Sequence, residues 1–132
     1  QALTEFLDST KWAEHLMWVH PLWWGGMPAK MQAVIDRTFL PGITFAYRDK
    51  GPWWDKLLEG RTADVLVTAD TPEFFLKWVY RNPHKNRIKR QILEFTGVKL
   101  SRYAHFAIAK DANKIEAWKR QAYNMGADAG RG

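Results

Sequence analysis

The sequence predicts an α/β domain built on a parallel sheet with helices on both faces, and three observations predict it. Three short apolar runs, residues 16–19, 63–68 and 103–109, have the length of strands. Stretches with helical periodicity separate them, which is the pattern of parallel strands joined by crossovers. The chain of 132 residues, 46% hydrophobic and 26% charged, has room for one core and not two, so residues 1–132 read as a single domain.

Residues 2–14 read as a helix because Leu3, Phe6 and Leu7 recur at helical spacing. Leu16-Met17-Trp18-Val19 is unbroken, as in a strand buried on both faces. Pro21 ends it, since proline has no N–H for a ladder. Gly25 and Gly26 follow, and Pro28 stands in the first turn of the next helix. There Met27, Met31, Val34, Ile35 and Thr38 form one stripe, with Lys30, Gln32 and Arg37 facing away. Pro41-Gly42 closes that helix, and residues 40–61 are an irregular excursion carrying Phe45, Tyr47, Trp53 and Trp54. Residues 63–68 are a second buried strand, broken by Asp70-Thr71-Pro72. Residues 84–95 are helical, with Ile88, Ile92 and Phe95 on one face and Gly97 as the stop. Residues 103–109 are the third strand. Asp111 or Asn113 caps a last helix through Tyr123, with Gly126 beyond it.

In such folds ligands bind beyond the carboxyl ends of the strands, which selects the loops at 21–27, 68–73 and 110–113. Composition excludes several chemistries. Cysteine is absent, which removes disulfides, zinc–cysteine sites, iron–sulfur clusters and thiol catalysis. His15, His20, His84 and His105 show no metal-ligand spacing, so no metal is expected. Neither a P-loop nor a GxGxxG motif occurs. No apolar run reaches the ~20 residues that span a bilayer, and a soluble, cytoplasmic protein without membrane partner is expected. The net charge of +6 resides in residues 73–102, where eight Lys and Arg face two Glu. That segment reads as a solvated helix face or as a surface for nucleic acid or another acidic partner, and no nucleic-acid partner is expected.

The loop His20-Pro21-Leu22-Trp23-Trp24-Gly25-Gly26-Met27-Pro28 sets two large aromatics at a strand's carboxyl end, then glycines that permit close backbone approach. Aromatic faces with backbone N–H groups suit a flat conjugated ligand. The same tryptophans could instead fill core beneath the 40–61 excursion. Thr68-Ala69-Asp70-Thr71-Pro72 supplies hydroxyl and backbone donors from the neighbouring strand end, or is ordinary turn chemistry. His20, closing the first strand, reads as a hydrogen-bonded structural residue.

With these stretches assembled, the sequence resembles the flavodoxin-like NAD(P)H dehydrogenases, the quinone reductases. The matching segments are Trp18 to Ala29, Ile35-Asp36-Arg37-Thr38-Phe39-Leu40-Pro41-Gly42, Leu57-Leu58-Glu59-Gly60-Arg61, Val67 to Pro72 and Phe95-Thr96-Gly97-Val98. The resemblance implies a flavodoxin-like three-layer α/β/α fold that here lacks the first β-α-β unit, and bound FMN or FAD. Pro21, Leu22, Trp23, Trp24 and Gly25 would line the flavin ring, and Thr68, Ala69, Asp70 and Thr71 would contact its polar edge. The implied reaction passes hydride from NAD(P)H through the flavin to a quinone-type acceptor, in a homodimer. A regulatory or binding module without catalysis is the alternative. Where some relatives carry a Tyr and a His near the flavin, Phe75 and Arg81 stand here, and no catalytic acid is assigned. The phosphate-gripping loop at the front of such relatives has no match, and Gln1 falls inside a helix. The expectation is therefore a fragment of a longer enzyme, not competent alone, whose strand 16–20 has a bare edge.

Overall fold

A computed structural model describes residues 1–107 and 112–131. In chain order the elements are α1 (Ala2–Trp12), β1 (His15–Pro21), α2 (Ala29–Thr38), β2 (Phe45–Tyr47), β3 (Trp54–Lys56) and β4 (Thr62–Ala69), then α3 (Pro83–Asn86), α4 (Glu94–Thr96), β5 (Lys99–Ala107) and α5 (Ala112–Ala129). Two stretches, Phe75–Val79 and Arg87–Leu93, wind as π-helix. β1, β4 and β5 form a parallel sheet in the order β1-β4-β5, as the alternation of strand and helix predicts.

Each face of the sheet has its own core. On one face Leu16, Trp18, Ala63, Val65 and Val67 pack with Met27 and Ile35 and with Ile88, Ile92 and Leu93. On the other, α5 lays Trp118, Ala122 and Met125 over Leu66, Ala104 and Phe106. β4 is central, and its residues 63–67 are all buried. β1 differs from the expectation of burial on both faces. Leu16, Trp18 and His20 are buried, but Met17 and Val19 are 39% and 63% exposed. The cause is position, because β1 is the sheet's edge and α5 packs on residues of β4 and β5. The bare edge itself agrees with the sequence reading.

A bulge phases β5. Ala63 pairs with Leu100 but Asp64 pairs with Arg102, so Ser101 is the extra residue. Beyond it Tyr103 belongs with the first core, while Arg102, Ala104 and Phe106 turn to α5. Asp64, fully buried, thereby meets Arg102 at 2.5 Å and His15 Nε2 at 3.3 Å. Arg102 also reaches Asp128 at 3.1 Å and donates to the Met125 carbonyl at 2.8 Å, pinning the end of α5.

That pin explains one departure. The sequence places Gly126 beyond the last helix, yet α5 continues to Ala129, because the Arg102 contacts offset the roughly 1 kcal/mol that an interior glycine costs. Asn113 lies inside α5 rather than capping it; Asp111, like residues 108–110 and the centre of the loop expected at 110–113, lies outside the described residues. α1 ends at Trp12, two residues early, and β5 begins at Lys99, four residues before the expected start.

The excursion at 40–61 contains a short antiparallel hairpin of β2 and β3. Trp54 stacks on Phe95 at 4.4 Å and donates from Nε1 to its carbonyl at 2.7 Å. Leu58 N–H bonds the Thr96 carbonyl at 2.9 Å. Gly97 sits at this junction with φ +103°, and a Cβ there would stand 2.8 Å from the Glu59 backbone nitrogen. Gly60, at φ +85°, has open space instead. Gly97→Ala is therefore expected to lose about 3 kcal/mol, conformational strain plus a clash with backbone, whereas Gly60→Ala loses only the strain of about 1 kcal/mol. Urea unfolding of the two variants measures the difference; equal losses would remove the contact from the account.

Candidate functional site

The pairing of β1 with β4 brings the two predicted loops together. Pro21 lies opposite Thr68, and the Leu22 N–H bonds the Thr68 carbonyl at 2.7 Å, one residue past the strand. Trp23 and Gly26 then exchange N–H···O bonds of 2.9 and 3.0 Å across Trp24 and Gly25. Both central residues have positive φ, 51° and 77°, as a type I′ turn requires. Glycine accepts that geometry freely, but tryptophan pays about 1–2 kcal/mol for it. Strain of this kind concentrates at functional sites.

The turn decides against one of the two readings of the tryptophans. Trp24 is fully exposed at the tip and Trp23 is 61% exposed, so neither fills core beneath the excursion. The N–H groups of Leu22, Trp23 and Gly26 are spent within the loops, and those of Trp24 and Gly25 find no backbone acceptor among the described residues. Nothing lies within 4 Å of where a Gly25 Cβ would stand. Two exposed indoles, two uncommitted amides and open space above a glycine fit a planar heteroaromatic ring. Across from them Thr68 and Asp70 are exposed, Thr71 is half-buried and Ala69 is buried at the end of β4. Among the described residues no hydrogen bond joins Asp70 or Thr71 to the first loop.

Beside the loops lies a cavity of about 100 Å³ whose walls include Leu22, Gly25, Glu73, His84, Tyr103 and His105. Sequence reading missed this group. Tyr103 and His105 alternate on one face of β5, which the strand pattern contains; His84 comes from the start of α3, which only the fold brings near. His84 Nδ1 and the Tyr103 hydroxyl share a hydrogen bond of 2.9 Å, and the His84 ring meets His20 edge-on at 5.0 Å. His20 is hydrogen-bonded, as expected, donating from Nδ1 to the Pro21 carbonyl at 2.9 Å. Among the described residues no three His, Asp or Glu side chains gather as a metal site.

Burial disfavours the charged form of these rings. It pushes His84 down to about 4, with the neighbouring His20 and Arg87 adding to the effect. Burial also lowers His20, against the bond to Pro21, and lowers His105, against Glu73. The Tyr103 hydroxyl is raised by the same burial. Because His84 takes up its proton more readily unfolded than folded, its contribution to stability is full above pH 6.5 and disappears as pH falls toward about 4. Urea unfolding at a series of pH values should show that decline, and His84→Gln should flatten it; a variant as acid-sensitive as the parent would exclude His84 as the cause.

Comparison with known proteins follows the geometry. A family described by its flavodoxin-like fold matches residues 2–125. An FMN-dependent NADH:quinone oxidoreductase of Hydrogenovibrio crunogenus is 33% identical over 66 residues, 50% of this chain and 32% of that protein. One of Alcanivorax borkumensis is 37% identical over 61 residues, 46% of this chain and 30% of its own length. The alignments thus span about a third of these curated relatives. The crystal structure of a putative quinone reductase from Klebsiella pneumoniae superimposes with a TM-score of 0.78, covering 89% of this chain and 50% of that one, and at 22% identity the likeness is one of fold. On the match across residues 2–125, the chain belongs to the flavodoxin-like fold family.

Proposed function

We propose that this chain forms the ring-binding part of an FMN-dependent NAD(P)H:quinone oxidoreductase. One observation carries the reading: Trp23 and Trp24 stand exposed on a strained turn that a backbone bond ties to Thr68. The names of the curated relatives favour FMN over FAD. Pro21, Leu22, Trp23, Trp24 and Gly25 hold the ring face and one edge, through indole surface and the amides of Trp24 and Gly25. Thr68, Ala69, Asp70 and Thr71 supply polar groups along the other edge.

The chemistry supplied by a bound flavin is hydride exchange with NAD(P)H and two-electron delivery to a quinone. The protein's own part is placement and water exclusion. The Leu22–Thr68 bond fixes the separation of the two loops, and Lys77 and Lys85 bring positive charge to the cavity wall beside His84 and His105. The bare edge of β1, with Met17 and Val19 beside it, is covered in the working protein by further polypeptide, and a homodimer completes the site.

FMN titration followed by quenching of flavin fluorescence tests the site. Trp23→Ala and Trp24→Ala should each weaken binding roughly tenfold, the worth of one aromatic stacking contact. Unchanged affinity in both variants would remove the platform, and with it the oxidoreductase reading.

A further inference from the structure

The basic segment does more than cover a helix face, because the fold brings two of its cations, Lys77 and Lys85, to the wall of the cavity beside the tryptophan turn. Lys85 is half-buried, with Nζ 5.6 Å from the centre of the Tyr103 ring, and Lys77 Nζ stands 5.6 Å from that of Trp78. Other cations of the segment are engaged elsewhere: Lys89 meets Glu94 at 3.6 Å, and Arg87 donates to the Gln32 side chain at 2.7 Å. Lys77 and Lys85 form no ion pair among the described residues. Glu73, the one carboxylate on the described wall, is exposed and pairs with neither.

The same wall carries buried hydrogen-bonding groups that no side chain satisfies. His84 is 4% exposed; its Nδ1 shares the bond with the Tyr103 hydroxyl, and its Nε2 is buried without a partner. Both ring nitrogens of His105 are buried and unpartnered as well. A neutral imidazole holds one N–H, so with the Tyr103 hydroxyl donating to Nδ1 the His84 proton stands on Nε2 as a donor. A buried donor without an acceptor is costly, and an acceptor brought to it offsets that cost. Burial disfavours charge on His84 and His105, which leaves the lysines as the cations of the wall.

We propose that this cavity receives an oxyanion carried by a reactant, a carboxylate on the acceptor ring or the 2′-phosphate of the pyridine nucleotide. Lys77 and Lys85 supply the charge, and His84 Nε2 supplies a hydrogen bond. Charge selects the class, since a neutral quinone leaves both lysines without a counter-charge and a cation meets like charge. Leu22 and Leu76 line the cavity too, so its mouth accepts the apolar ring that bears the anion, beside the open space over Gly25. The role in turnover rests on the reading under Proposed function; the anion binding itself does not.

Benzoate and benzamide, alike in shape and different in charge, test the site by titration calorimetry of the flavin-free protein. Benzoate should bind, and benzamide at least roughly tenfold more weakly. Lys77→Gln and Lys85→Gln should each lower benzoate affinity roughly tenfold, the worth of a hydrogen bond to a charged group, with circular dichroism unchanged. Lys99→Gln removes the same charge at the opposite end of the sheet and should leave the affinity as it is. Imidazole nitrogen NMR should show benzoate shifting His84 and not His15. Adenosine 2′-phosphate separates the two sources: competition with benzoate assigns the anion to the nucleotide, and absence of competition assigns it to the acceptor. No binding of either anion, or binding indifferent to both lysine variants, overturns the proposal. Benzoate binding by a protein that fails the FMN titration would sink the oxidoreductase reading and leave the anion site standing; FMN binding without benzoate binding does the reverse.

Discussion

The parallel pairing of β1 with β4 is the constraint on which the site depends. Seven consecutive residue pairs, from His15 with Thr62 to Pro21 with Thr68, set the two strand ends level. The Leu22 N–H then carries the ladder one residue further, so the loops emerge side by side. A slip of one residue would exchange the faces of β1, turning Trp18 out of the core and Met17 into it. Side-chain packing and loop placement are thus the same decision. What holds the register also holds the tryptophan turn against Thr68.

At the opposite end of the sheet a buried charge performs the matching task. Asp64 has no exposed surface, and a carboxylate there is tolerable only with close cationic and hydrogen-bonded partners. Arg102 supplies them because the bulge at Ser101 shifts β5 by one residue. The same guanidinium reaches Asp128 and the Met125 carbonyl, coupling the phase of β5 to the position of α5. One residue along, Tyr103 and His105 would take the places of Ala104 and Phe106 beneath α5. Polar groups at the amino ends and the tight turn at the carboxyl ends fix the sheet from both sides.

Much of this was legible in the residues. Short apolar runs mark three strands, and the rule for strand ends selects the loop at 21–27. What the pattern could not carry was the environment of Trp23 and Trp24, because indoles are equally at home in a core or on a surface. Their exposure follows from a turn with positive φ at a tryptophan, which residue preference argues against. His84, Tyr103 and His105 escaped for another reason. They are separated by up to 21 positions and meet only because the helix after β4 folds back over the β5 strand end. The π-helical winding of 87–93 leaves the apolar stripe of Ile88 and Ile92 nearly intact, so periodicity alone reads it as an ordinary helix.

The left-handed backbone at Trp24 also bears on how this protein can be improved. Anyone seeking a hardier version would settle on that position early, since asparagine or glycine would relax the turn and raise the melting temperature at little apparent cost. Sequence drift feels the same pull. A tryptophan there runs against its own conformational preference, and screens scored on thermal tolerance alone would discard it first.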